Sequence, residues 1–163
     1  MDKTPTSRAE AITRLSANRD DILPYFAVSP EVAARTYAPG KWTLRQVLIH
    51  IADAETVNLD RLRRLAAEEK PVIMGFDPDR WTAHLATGRR DLAITGVLFA
   101  AARAAVIDLV RVLPEDVDAR SGVHSEYGPR TFGEQVTVGW WHAAHHLEQV
   151  RAAAGGRLWT PAG

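Results

Sequence analysis

The sequence predicts an all-α fold: a four-helix bundle in up-down-down-up order with a long crossover between helices 2 and 3, formed as one domain over residues 1–163. Three observations lead there. Four stretches repeat apolar residues at helical spacing, and no segment shows a convincing strand pattern. Capping residues or Pro and Gly bound these stretches. The connection over residues 71–88 is far longer than the roughly 2–8 residues that join antiparallel helices. At about 3.3 Å per extended residue it can run back along the bundle.

Helix 1 is expected from Ser7 to Phe26, with Ser7 as N-cap and Glu10 placed for a capping box. A short turn follows over Ser29 to Arg35. The stretch APGKWT then punctuates the chain, and Thr43 caps helix 2, expected from Leu44 to Lys70. The crossover carries MGFDPDRW. Helix 3 is expected from Arg89 to Leu113, stopped by Pro114. A polar connection, PEDVDARSGVHSEYGPR, leads to helix 4, expected from Thr131 to Ala154 and closed by Gly155 and Gly156.

Composition narrows the function classes. The chain is 46% hydrophobic and 25% charged, ordinary for a globular protein. Lys plus Arg and Asp plus Glu both number 20, so no charge excess favours nucleic acid or an anionic membrane. No apolar run is read as approaching the roughly 20 residues of a membrane span. The start, MDKTPTSRAEAITRL, lacks the apolar centre of a signal peptide, so a cytoplasmic location is expected. The chain has no cysteine, which leaves His, Asp and Glu as metal ligands.

Six histidines occur, three of them in WWHAAHHLEQV. At about 100° per residue, Phe132, Val136, Ala143, Leu147 and Val150 form the apolar stripe of helix 4. His142, His146, Gln135 and Gln149 make a second stripe beside it. His145 points farther away and is the fallback ligand. Residues four apart stand one turn apart on one face, so His142 and His146 can reach one ion. His50 lies at the edge of the helix 2 stripe, near the start of that helix, while His146 lies near the end of helix 4. Antiparallel helices 2 and 4 bring them to the same height; parallel ones would separate them by roughly 12 Å. The competing reading is three histidines with ordinary hydrogen-bond partners. His84 and His124, in connections, are expected to be solvated.

The segments PGKWTLRQVLIHIADAE, GFDPDRW and GWWHAAHHLEQVR, in that order, resemble the DinB superfamily of metalloenzymes. The match rests on W-[ST]-x-x-[EQ]-x-x-x-H at the start of helix 2 and H-x-x-H-H in helix 4. The resemblance implies the up-down-down-up bundle and a three-histidine metal site, carried here by His50, His142 and His146. It also implies thiol-S-transfer or thiol-dependent isomerisation, with bacillithiol or mycothiol as the thiol, and a homodimer. The family often has Gly before the first helix 4 histidine; here Trp141 stands there.

Three neutral imidazoles leave positions open on an ion, the catalytic style of site. Such an ion can lower the pKa of a bound water or thiol. Imidazole suits Zn, Ni, Fe or Co alike. The expected function is transfer of a low-molecular-weight thiol, as co-substrate, to a small-molecule electrophile in detoxification or stress. The alternatives are a metal-dependent hydrolase and a non-catalytic metal-binding stress or interaction protein. Glu55 and Asn58 fall within the apolar stripe of helix 2. Glu55 is read either as a partner of a ligand His or proton carrier, or as a structural contact to Arg or backbone. Asp77 is read as a mouth residue or a turn former. Trp42, Trp81, Trp140 and Trp141 are candidate pocket walls or core.

Overall fold

A computed structural model of the chain describes residues 6–160; residues 1–5 and 161–163 of the expected domain lie outside them. Four long helices form a bundle: α1 (Arg8–Ile22), α3 (Leu44–Ala67), α5 (Leu92–Val112) and α6 (Phe132–Ala154). α3 packs against α5 and α6, and α1 packs against the same two. Two short helices, α2 (Pro30–Ala33) and α4 (Pro78–His84), lie in the connections. So does a small sheet of β1 (Val72–Ile73), β2 (Ser121–His124) and β3 (Gly128–Thr131).

The caps explain where the helices start. Thr43 accepts from the Gln46 N–H, and the Gln46 side chain accepts from the Thr43 N–H at 2.8 Å. Thr131 and Glu134 repeat this reciprocal box at the head of α6. At α1, Ser7 accepts from the Glu10 N–H, without the return bond expected from Glu10. Asp91 caps α5 by accepting from Ala93 and Ile94, so the helix begins at Leu92 and not at Arg89.

The far ends shift for equally local reasons. Pro24 lacks an N–H, and the chain tightens into a 3₁₀ turn over Leu23–Ala27 in place of the expected helix to Phe26. α3 stops at Ala67: Glu68 is extended, and Lys70, with φ 50°, precedes Pro71. Gly156, with φ 66°, closes α6 as Gly at that place does in a helix C-terminus.

The sheet corrects the expectation of a strand-free chain. β1 pairs parallel with β2, and β2 pairs antiparallel with β3. Two strands of four residues and one of two are too short for periodicity to register against helical neighbours. Gly122 permits the pairing, because a Cβ there would come within 2.4 Å of the Pro71 carbonyl. The sheet thereby ties the 71–88 crossover to the connection before α6. The core has two parts. One joins Phe26, Leu44, Leu48, Phe99 and Leu147, and the other joins Leu15, Leu62, Leu65, Val106 and Phe132.

α5 corrects a second expectation. Its length and composition alone would suit a membrane span. Here Thr95, Phe99, Val106 and Val110 are buried against the other helices, and Arg103 in its middle is fully buried in an ion pair.

Candidate metal centre

His50, on α3, and His142 and His146, on α6, meet between the two helices. One ring nitrogen from each lies within 4.8 Å of the other two, and they could hold one metal ion. The Nε2 atoms of His50 and His142 are 3.1 Å apart. Two imidazoles bound at about 2.0–2.1 Å to a tetrahedral ion stand about 3.3 Å apart, so the geometry fits such an ion. His146 presents its other nitrogen, Nδ1, to the Gln149 side-chain oxygen at 2.8 Å. That bond leaves Nε2 free and fixes the ring.

All three imidazoles are neutral at pH 7. Burial pushes His50 down to about 4. His146 is pushed down to about 3, by burial first and then by His50. Burial and the neighbouring rings hold His142 well below the usual histidine range. The apolar surroundings are visible: the Trp42 ring centroid lies 5.1 Å from that of His50, and Phe76 lies at 6.1 Å. Neutral imidazole is the form that ligates metal.

A cavity of about 460 Å³ opens from the three rings. Trp42, Phe76, Val138 and Trp141 give it apolar walls, while Glu55, Asn58, Arg61, His124, Arg130 and Gln135 line it with polar groups. Gly139 also lines it, and a Cβ there would lie 2.6 Å from the Asn58 amide nitrogen.

The remaining candidates separate. Glu55 lines the cavity but is bound to Arg103, with Oε2 2.7 Å from Nη2. This is the structural contact to Arg. Burial pushes its carboxyl up, against the pull of the Arg103 guanidinium. Asn58 accepts from the Gln135 amide at 2.8 Å, and its own Nδ2 has no partner. Asp77 is not a lining residue: it caps α4 by accepting from the Arg80 N–H, the turn-forming role. Trp140 also turns away, packing in the core with the Arg14 guanidinium 4.2 Å above its ring. Trp81 packs behind Phe76, with ring centroids 4.5 Å apart and the planes tilted by 40°. His145 stacks on Trp141 and bonds to Gln149, outside the three-histidine group.

His84 is exposed at the end of α4. His124 is not solvated but 3% exposed, because β2 alternates and turns Gly122 and His124 inward. Arg61, His124 and Arg130 escaped the sequence reading. The signal available was the alternation in SGVH and the Tyr127-Gly128-Pro129 turn, which together mark a hairpin.

A bundle with histidines from two helices converging on a cavity defines the class of small helical metal-site proteins. The profile of the DinB superfamily matches residues 14–150, and the chain belongs to that superfamily. It is 32% identical over 125 residues to a protein of Oceanobacillus iheyensis provisionally named a metal-dependent hydrolase, covering 76% of this chain and 72% of that one. A second protein of the same organism and provisional name is 26% identical over 127 residues, covering 78% and 73%. Among solved structures, YfiT from Bacillus subtilis superposes with a TM-score of 0.84 at 20% identity, over 91% of this chain and 86% of that one. YfiT is described as having an unusual four-helix bundle topology and is provisionally assigned as a metal-dependent hydrolase. The mycothiol-dependent maleylpyruvate isomerase superposes with a TM-score of 0.70 at 12% identity, over 89% of this chain and 61% of that one.

Proposed function

We propose that this protein is a metal-dependent enzyme in which His50, His142 and His146 hold one divalent transition ion, and that it transfers a low-molecular-weight thiol to an electrophile in the adjacent cavity. The observation that carries the reading is the convergence of three neutral imidazoles at one end of a cavity of about 460 Å³. Such an ion supplies Lewis acidity, lowering the pKa of a thiol or water that binds it. The residues of the chain orient and enclose. Gln149 fixes His146, while Trp42, Phe76 and Trp141 give the cavity apolar walls beside the three rings. Glu55 is engaged by Arg103 and is not offered as a base. A thiol, with an ordinary pKa near 8.5, has less need of a base than water at 15.7.

The helix order belongs to the same proposal: up-down-down-up. Pairing partners support it. On α3 and α6, His50 meets His142 while Asn58 meets Gln135, so residue numbers run in opposite directions. From α3 toward α5, Arg45 meets the Arg90 carbonyl just before α5 and Glu55 meets Arg103, so the numbers rise together. Asn18 meets Trp140 and Asp21 meets Arg151, which makes α1 and α6 run alike.

A second reading, metal-dependent hydrolysis, draws on the provisional names of the relatives. One experiment separates the two. The protein is purified without added metal, its metal content measured, and the wild type and His50→Ala assayed with bacillithiol, mycothiol, glutathione and cysteine against a panel of electrophiles. The expected result is about one metal per chain and conjugate formation, both lost in His50→Ala. Stoichiometric metal without any conjugate would discard thiol transfer, and ester cleavage without thiol would install the hydrolase. Unchanged metal in His50→Ala would remove that ligand.

A further inference from the structure

The cavity has a second, polar end, built by Arg61 of α3, His124 of β2 and Arg130 of β3. Arg130 is 5% exposed, yet its Nε and Nη1 have no hydrogen-bond partner. Among the described residues neither Arg61 nor Arg130 has a carboxylate within ion-pair distance. A guanidinium cannot shed its charge, and burying it without acceptors is unfavourable. A guanidinium held this way has donors to spare for an anion entering the cavity.

The neighbours are already set for that anion. Arg61 is anchored, donating from Nε and Nη2 to the Met74 carbonyl at 3.1 and 2.6 Å. His124 Nδ1 accepts from the Glu126 backbone N–H at 3.2 Å, so the neutral ring carries its proton on Nε2 as a donor. The β2–β3 pairing places Arg130 opposite Gly122, two residues from His124.

We propose that Arg130, with Arg61 and His124, binds the carboxylate of a small organic acid whose other end reaches the three-histidine centre. Carboxylate is favoured over a phosphate dianion by charge. Glu126 lines the same end and offsets one of the two guanidinium charges, and one positive charge remains. The flat guanidinium matches a carboxylate edge to edge. Phe76 and Val138 supply apolar wall for the carbon body. Arg61 lies about three turns beyond His50 on α3, roughly 16 Å along the axis, so the acid is elongated. What happens at the far end of the acid rests on the metal-enzyme reading above; the anion pocket rests on its own residues.

The test is a titration with benzoate, in parallel with inorganic phosphate, followed by the arginine Nε–H and histidine ring signals in NMR. It is run on wild type, Arg130→Gln and Arg61→Gln, each with and without metal. Saturable benzoate binding to the wild type is expected in both metal states, weakened at least ten-fold by Arg130→Gln and less by Arg61→Gln. If Arg130→Gln does not fold, Arg61→Gln carries the comparison. The pocket is overturned by absent benzoate binding in folded, metal-loaded wild type, by equal binding in the wild type and the variants, or by phosphate binding more tightly than benzoate. Metal content of the same samples keeps the two readings apart. Benzoate binding without metal uptake sinks the metal enzyme and leaves the carboxylate pocket standing.

Discussion

Glu55 shows how much one residue's environment decides. It stands on the buried face of α3, where a carboxylate needs a partner. Arg103, fully buried on α5, is that partner at 2.7 Å. Breaking such a pair by removing one charge costs about 3–5 kcal/mol, because the other charge stays buried alone. Glu55→Ala is therefore expected to lower unfolding free energy in urea by that amount while leaving metal content unchanged. The double variant Glu55→Leu with Arg103→Met is expected to recover most of the loss. A loss under about 1 kcal/mol for Glu55→Ala would show that the pair is not a buried ion pair. Helical phase in the sequence was enough to place Glu55 inward and to list Arg among its possible partners. It could not single out Arg103, since the contact depends on how α5 lies beside α3.

The helices are legible element by element because their ends are chemically marked. Thr43 with Gln46 and Thr131 with Glu134 close both capping boxes at the heads of the two histidine-bearing helices. Replacing Thr43 by Ala removes the acceptor for the Gln46 N–H, at a typical cost of about 1 kcal/mol. For a chain of this size that is a fall in melting temperature of roughly 2–4 °C. Calorimetry on Thr43→Ala checks it, and an unchanged Tm would mean that the return bond from Gln46 alone holds the terminus. The short strands were not legible. The β1–β2 pairing joins segments far apart in the chain, Ile73 with His124, and no local pattern encodes a partner at that distance; β2 and β3 form a local hairpin, but strands of four residues are too short to stand out against helical neighbours. His124 and Arg130 were missed because they sit on those two short hairpin strands.

At the scale of the whole molecule, the buried imidazoles make stability depend on pH. His50 is held at about 4 and His146 at about 3, and His124 is also lowered by burial, against an unfolded value near 6.5. A depressed pKa means that the unfolded chain takes up protons first as pH falls. The stability these residues carry is thus complete above about 6.5 and is lost progressively toward 3. Metal-free protein is expected to show a falling Tm across that window, and His124→Asn, whose side-chain oxygen can still accept from Glu126, a shallower fall. A Tm that stays level from pH 7 to 5 would contradict the burial of these rings.

The sequence by itself determined the helical class, the four long helices, the family and the three histidines brought together here. Most of these depend on spacing along one helix or on motifs within a short segment, where chain geometry is nearly fixed; joining His50 to the α6 pair also needed the helix order that the long crossover allows. Only the tertiary structure decided that Glu55 answers to Arg103, that Asp77 serves α4 and not the cavity, and that Arg61, His124 and Arg130 share the cavity with the histidines. Those outcomes depend on which surfaces meet when the crossover, the hairpin and the bundle close on one another. That is a property of packing between distant segments.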